Sequence, residues 1–570
     1  MRHRYILIAT AVLIICAGVL FGARQLLTPR DKAIADMMPP GALFYLETPD
    51  FHSLLADWNG SPEKQEWLAS DNYAVFSRSR LFGRLSQAQT EFATAAGIPP
   101  DMQFVEQIAG KESAFAWYDI GKLEFLYITR MPSGAFTQST LWQSRARFDV
   151  RRSGNFEFYL RTDLESQRTV CFATTQDLLV LGTREDLVAD ALSLIGGAQG
   201  RSLSDEPWYA APVSQAKARG DLRMVLNLEK LVPSPYFRSY WIQQNVTDLK
   251  QYRTAISDLY RTQQVYREKR VLLRKNVTQA VTAPADISPL VASVPSGVGF
   301  YQAISDPSSG MVLETLKDKL LDPRPHPDAA YTFAPAAPEI DQAAGQAADL
   351  ETHIDKAPFE TKRTDPWQPL QSILETAQVN GLLICESSDS EKVATFTKFH
   401  SAVVISAAHD WDSAQVKSIL SSALETQITT LQLGLGWIDR DSYSELDGLS
   451  PLSLSTQGKY LILSDDPVLL LAIRDSVDKK NAAAEAAVYA SGFDHGKEAA
   501  NFRRISTFLD RAGMRGGSAA LSDPNGPRQP AFFSGNMASF SQVFKSVVSE
   551  SMVVHDSGDK VTQMVTYQWQ

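Results

Sequence analysis

Leu178-Leu179-Val180-Leu181-Gly182-Thr183-Arg184-Glu185-Asp186-Leu187-Val188 and Tyr460-Leu461-Ile462-Leu463-Ser464-Asp465-Asp466-Pro467-Val468-Leu469-Leu470 repeat one pattern within a single chain. An apolar run comes first, then a polar step with acidic residues, then apolar residues again. That order reads as a buried strand entering a helix, whose first turn favours carboxylates because they complement the positive end of the helix dipole. A Thr-Gln pair precedes each copy, Thr175-Gln176 and Thr456-Gln457, where a hairpin turn is expected.

Other landmarks recur in the same order, and such recurrence means one supersecondary unit built twice. Gly41-Ala42-Leu43-Phe44-Tyr45 follows Pro39-Pro40, and Gly297-Val298-Gly299-Phe300-Tyr301 follows Pro295-Ser296. Helix-like runs come next, Phe51 to Trp58 and Met311 to Leu321. Ser113 to Tyr118 and Leu123 to Thr129 predict a hairpin around Asp119-Ile120-Gly121-Lys122, matched by Leu382 to Glu386 and Ala402 to Ser406. Phe156, Phe158 and Leu160 alternate in a meander after Ser153-Gly154-Asn155, with Leu431, Leu433 and Leu435 as the expected counterpart. The copies lie 256 residues apart at one landmark (297 − 41) and 282 at another (463 − 181), so they carry unequal insertions.

Two segments fall outside the repeat. Asp322 to Asp365 contains Pro323, Pro325, Pro327, Pro335, Pro338 and Pro358 among alanines, the composition of a flexible insertion. The first half has helix-compatible sequence there instead, Glu63 to Ala96. Ser234-Pro235 reads as a helix start for Tyr236 to Asn276. Ile242, Leu249 and Ile256 lie seven apart, as do Tyr252, Leu259, Tyr266 and Leu273. That spacing predicts an apolar stripe along one helix of roughly 60 Å. Its far end gathers Arg261, Arg267, Lys269, Arg270, Arg274 and Lys275 against Glu268 alone.

Tyr5 to Gly22 carries no charge and would span roughly 27 Å, enough for a bilayer core. Arg2 and Arg4 precede it and no good cleavage site follows, since Phe21 or Leu20 would occupy a position that needs a small residue. The expectation is an uncleaved, single-pass anchor in the cytoplasmic membrane with the body on the periplasmic side. Arg24, Arg30 and Lys32 leave the count of positive charges undecided. The short basic tail ahead of the apolar run decides the orientation.

The expected fold class is therefore α+β: two related modules of mainly antiparallel sheet with covering helices, joined by a long helix, plus an N-terminal transmembrane helix. The anchor occupies residues 1–24 and a juxtamembrane linker 25–36. The first module spans 37–232, the long basic helix and linker 233–284, and the second module 285–570, with 322–365 as its insertion.

In the 570-residue chain, Lys+Arg 55 against Asp+Glu 65 gives a net charge of −10 (55 − 65), which argues against a nucleic-acid binder, since phosphate contacts need a basic face. Three cysteines exclude a disulfide framework and a four-cysteine zinc site. Phosphate-loop, His-Glu-x-x-His, Cys-x-x-Cys and Gly-x-Ser-x-Gly signatures are absent. Ser214-Gln215-Ala216-Lys217 and Ser70-Asp71-Asn72 resemble two penicillin-binding motifs, but in reversed order and without Lys-Thr-Gly. Asp439, Asp441 and Glu445 lack the EF-hand glycine and read as a solvated turn. His409-Asp410 and His555-Asp556 are adjacent, so on a strand their side chains face opposite ways; with His400 they read as surface histidines. Cys171 and Cys385 lie in apolar runs and read as inert core thiols. No catalytic residue, metal or cofactor is assigned.

The basic residues from Arg261 to Lys275 read as a solvated face. The functional alternative is contact with anionic headgroups or an envelope polymer, worth about 1 kcal/mol per residue near a charged surface. The anchor, the Pro-Pro-Gly-Ala-Leu-Phe-Tyr opening at 39–45, the duplicated strand–helix landmarks and the arginine-rich segment together resemble a bacterial family of uncharacterised, membrane-anchored extracytoplasmic proteins. The resemblance implies location and carries over no functional residue. The expected function is a non-catalytic binding or scaffolding protein of the cell envelope, with an envelope protein or polymer as partner. The alternatives are an envelope hydrolase with a site assembled from distant residues, or a lipid or polymer carrier with an apolar groove. Protease added to spheroplasts is expected to digest the chain beyond Thr28 and spare its N-terminus; protection until lysis would reverse the orientation.

Overall fold

The computed structural model describes residues 32–69, 73, 76–78, 80–235, 249–276, 285–321, 366–388, 399–428, 436–446, 451–477, 487–498 and 547–569, apart from positions 133, 176, 217 and 263. The expected anchor, the 322–365 insertion and residues 236–248 of the expected helix lie outside the described residues. Among those described, no helix is long and apolar enough to cross a membrane. The chain divides into two compact units, Met1–His52 with Ala88–Ala211, and Ser53–Gln87 with Pro212–Gln570.

The first unit holds strands β1 (Phe44–Thr48), β2 (Ser113–Asp119), β3 (Glu124–Arg130), β4 (Asp149–Ser153), β5 (Phe156–Thr162), β6 (Thr169–Thr175) and β7 (Leu178–Gly182). They pair in the order β1-β2-β3-β7-β6-β5-β4, antiparallel throughout. Strand side chains alternate between faces, so Leu179 and Leu181 enter a core with Phe92, Phe104, Phe136 and Phe172. Helix Glu185–Ile195 lies across β4 to β7 and buries Leu187, Val188, Ala191 and Leu192. Gly41, at φ +100°, provides the backbone freedom needed between Pro39-Pro40 and β1.

The second unit holds β8 (Leu222–Asn227), β9 (Tyr252–Arg261), β10 (Val265–Arg274), β11 (Phe300–Ser305), β12 (Val379–Ser388), β13 (Phe399–Ala407), β14 (Trp437–Asp439), β15 (Ser444–Leu446), β16 (Leu452–Gln457), β17 (Tyr460–Ser464), β18 (Tyr489–Asp494), β19 (Val547–Asp556) and β20 (Lys560–Trp569). Their order is β8-β9-β10-β20-β19-β18-β11-β12-β13-β17-β16-β15-β14, again antiparallel throughout. Leu382, Ile384, Val403 and Ile405 pack with residues of helices Ser309–Leu316, Gln368–Ala377 and Ser413–Ile428. Their neighbours Leu383, Cys385, Ala402 and Val404 pack with residues of helices Ser288–Ala292 and Pro467–Val477. Burial on both faces is why these strands read as continuous apolar runs.

The connection β11-β12-β13-β17-β16-β15-β14 follows the same path as β1-β2-β3-β7-β6-β5-β4. Phe44 opposes Trp117 as Phe300 opposes Glu386, and Leu126 opposes Gly182 as Ala402 opposes Ser464. Helices Glu185–Ile195 and Pro467–Val477, of 11 residues each, follow β7 and β17, which hold the same place in the two paths. The meander of the second path runs through β14 and β15; Leu431, Leu433 and Leu435 lie outside the described residues.

One expectation is overturned. Tyr252–Arg261 and Val265–Arg274 are the arms of an antiparallel hairpin, not the end of a long helix. Tyr252, Thr254, Ile256 and Asp258 are buried at period two, the spacing of a strand face.

Asp258 is buried because Arg223 on β8 is its register partner. Arg223 Nε donates to Asp258 Oδ1 at 2.7 Å and Nη2 to Oδ2 at 3.0 Å, and Gly220 N–H adds a third bond at 3.0 Å. The corresponding pair on β18 and β19 is Ala490 opposite Val553, without charge. Asp258→Ala should therefore destabilise by about 3–5 kcal/mol, because it removes the carboxylate that two nitrogens of a buried guanidinium bond to. Arg223→Ala with Asp258→Val should cost less than that single change, as read from denaturant midpoints.

Candidate functional site

The second unit contains a cavity of about 450 Å³ lined by Phe300, Gln302, Lys319, Ile384, Glu386, Ser387, Phe399, Phe493 and Glu498. The ladder assembles it. Phe300 on β11 stands opposite Glu386 on β12 and Phe493 on β18, and Gln302 stands opposite Ile384. Phe399 opens β13 opposite Ser388. Three phenylalanines and an isoleucine thus form an apolar floor with a few convergent polar groups, the usual composition of a small-molecule site.

Lys319 reaches the cavity from the turn after helix Ser309–Leu316 and pairs with Glu386 Oε1 at 2.8 Å. Burial pulls the lysine pKa down, but the Glu386 hydrogen bond and charge, helped by Asp318, hold it above its ordinary value. Glu498 is 5 % exposed, and its Oε2 accepts from the Ser388 hydroxyl at 2.5 Å. Gly299 makes room for this carboxylate, since a Cβ there would overlap it. Lys319 against Glu386 and Glu498 gives the lining a net charge of −1 (1 − 2).

The same ladder position in the first unit carries no charge. Phe44 stands opposite Trp117 with ring centroids 5.4 Å apart, and Phe115 stacks on Phe125 at 5.0 Å. Where one path has a tryptophan packed on a phenylalanine, the other has a glutamate over an apolar floor. The sequence signal was a glutamate directly after the buried run Leu382–Cys385, in the strand that matches Trp117.

The six basic residues are separated by the hairpin. Tyr266, Glu268, Arg270, Leu272 and Arg274 share one face of β10, and Arg267 and Lys269 take the other. Arg261 pairs with Asp57 at 3.1 Å, Arg270 with Glu268 at 2.6 Å, and Arg274 with Asp556 at 2.6 Å. Lys269 stands opposite Asp258 on one side and Met564 on the other, while Arg267 and Lys275 are exposed.

Asp439 accepts from Lys417 at 2.9 Å and Ser444 at 2.6 Å in the turn between β14 and β15. Among the described residues no His, Cys, Asp and Glu group could hold a metal. Cys171 and Cys385 are buried, and burial pushes both thiols far up. His400 corrects the surface reading: it is 8 % exposed with Nδ1 3.7 Å from Asp465. His409 is exposed and His555 half-buried. Residues 70–72 and Lys217 lie outside the described residues, so the two penicillin-binding motifs are not placed.

No family model matches the chain. No curated protein matches it either. Among solved structures, crystal form I of TP0453 is similar at 13 % identity over 44 % of this chain and 82 % of that one, with a TM-score of 0.24. Crystal form III of TP0453 is similar at 10 % identity over 47 % and 89 %, also with a TM-score of 0.24. Likeness at this level carries no argument about function.

Two carboxylates in the hairpins bind their protons more weakly in the fold than in the open chain. Arg274 hydrogen bonds hold Asp556 below the usual carboxylate range, and its burial opposes this without winning. Burial raises Glu268, but hydrogen bonds from Arg270 and Ser257 outweigh it. A depressed carboxylate stabilises above its unfolded pKa, about 3.9 for Asp and 4.3 for Glu, and loses that contribution as pH falls through the folded value. The melting temperature should therefore fall below about pH 4. Asp556→Asn should melt lower at pH 7 and show a shallower acid decline.

Proposed function

We propose that the chain is a non-catalytic binding protein of the cell envelope, anchored by Tyr5 to Gly22 with its body on the periplasmic side. It is built from two copies of one α+β module, and the second copy holds a small amphiphile in the cavity beneath Lys319 and Glu386. The carrying observation is the exchange of Trp117 on Phe44 for Glu386 on Phe300 at one ladder position. Phe44, Trp117, Phe300 and Glu386 are all half-buried, and an ion pair at such a partly exposed place contributes only about 0–1 kcal/mol, no more than the aromatic contact it replaces. A ligand supplies the reason to keep it.

Two-copy construction is supported by the shared strand path and by the equal-length helices that follow β7 and β17. The ligand class follows from the lining. Three phenylalanines suit an apolar or aromatic body, and the net negative charge suits an amine, which aromatic faces also attract. Of the two glutamates that line the cavity, Glu386 is engaged by Lys319 and Glu498 by the Ser388 hydroxyl, and among the described residues no histidine or cysteine joins them.

The test uses thermal melts of the full chain with tryptamine, neutral indole and indole-3-acetate. Ligand at 100 times its Kd stabilises by about 2.7 kcal/mol. Tryptamine should raise the melting temperature of the native chain and leave Glu386→Trp unmoved, since that variant rebuilds the packing of the first module. A shift from indole-3-acetate alone would overturn the amine assignment. No shift from any probe would overturn the binding site.

A further inference from the structure

β10 and β20 are neighbours in the second unit's ladder, and they are also counterparts. Each is the trailing arm of a hairpin with ten-residue strands, β9–β10 and β19–β20. A single shift of 295 positions carries one hairpin onto the other, 547 − 252 for the leading arms and 560 − 265 for the trailing arms. The turns obey it too. Thr262 N–H donates to Val265 O at 2.9 Å, and Ser557 N–H donates to Lys560 O at 3.0 Å.

The bonds across the seam follow the same shift with the partners exchanged. Arg274 N–H donates to Asp559 O at 2.9 Å, and Trp569 N–H donates to Gln264 O at 2.7 Å. Trp569 lies 295 positions beyond Arg274 (569 − 274), and Gln264 lies 295 before Asp559 (559 − 264). Exchange of partners under one shift defines a local twofold axis. The ladder sets Lys269 opposite Met564, themselves 295 apart (564 − 269), so the axis passes between these two residues.

An interface in which residue i meets j while j's counterpart meets i's is isologous, the geometry that closes dimers. We infer that the β10–β20 seam is a homodimer interface retained inside one chain, each side shaped to receive a second copy of its own module by edge-strand pairing. The inference rests on the two-copy reading above and adds the surface by which the copies associate. Pairing through strand edges uses main-chain hydrogen bonds, which tolerate the divergence between Val265–Arg274 and Lys560–Trp569.

The test uses the full chain carrying Cys16→Ser and a protease site inserted between residues 280 and 281. Arg274 and Trp569 donate across the seam, so by alternation Lys269 and Met564 form a non-hydrogen-bonded pair, with Cα atoms about 4.5 Å apart. That separation lies within disulfide reach. After cutting, the two pieces should elute together, and Lys269→Cys with Met564→Cys should convert both bands into one under oxidation. Met564→Cys alone, cut, unfolded and refolded, should yield disulfide-linked dimers of the C-terminal piece, because the axis places position 564 opposite its own copy. Far-UV circular dichroism reads folding separately. Folded pieces that separate after cutting would overturn the seam. Formation of the 269–564 link without any 564–564 dimer would overturn its isologous character and leave the two-copy reading standing.

Discussion

Main-chain hydrogen bonding between antiparallel strands is the constraint on which the second unit depends. Each buried N–H and C=O must find a partner, and the ladder from β8 to β14 supplies one strand after another. Because side chains alternate, the register also decides which residues share a row. Phe300, Glu386 and Phe493 are brought side by side in this way, as are Arg223 and Asp258. A slip of one residue in β12 would turn Glu386 toward the core that holds Leu383 and Cys385. The cavity therefore depends on backbone pairing before it depends on any side chain.

The strand path was legible wherever both faces of a strand are apolar. Leu178–Gly182 and Tyr460–Ser464 announce themselves because helices cover one side and a core the other. The hairpin at Tyr252–Arg274 was misread for a physical reason. Its buried face is Tyr252, Thr254, Ile256 and Asp258, half of it polar, so apolar residues alone show no period of two. Asp258 is made burial-compatible by Arg223, 35 positions earlier (258 − 223), and no local pattern contains that information. Residues seven apart then imitated a helical stripe. The cavity was hidden similarly, since Glu386, Lys319 and Glu498 come from separate parts of the chain and meet only through the ladder.

Two strand paths with one connectivity have been filled in different ways. Arg223 and Asp258 occupy a pair of places that Ala490 and Val553 fill without charge, and Trp117 occupies a place that Glu386 fills with one. The backbone tolerates both solutions because main-chain bonding is indifferent to side-chain identity as long as each buried polar group is paired. Function belongs to such local differences and not to the path they share.

The outer strands have a consequence for behaviour in concentrated solution. Among the described residues, β4 pairs only with β5, and β14 only with β15. The first presents Asp149, Arg151 and Arg152 to solvent, and the second is three residues long. Charge and brevity are two ways to stop a sheet from templating another chain. Growth by edge addition is blocked at both of these margins, so ladders this wide need not seed fibrils.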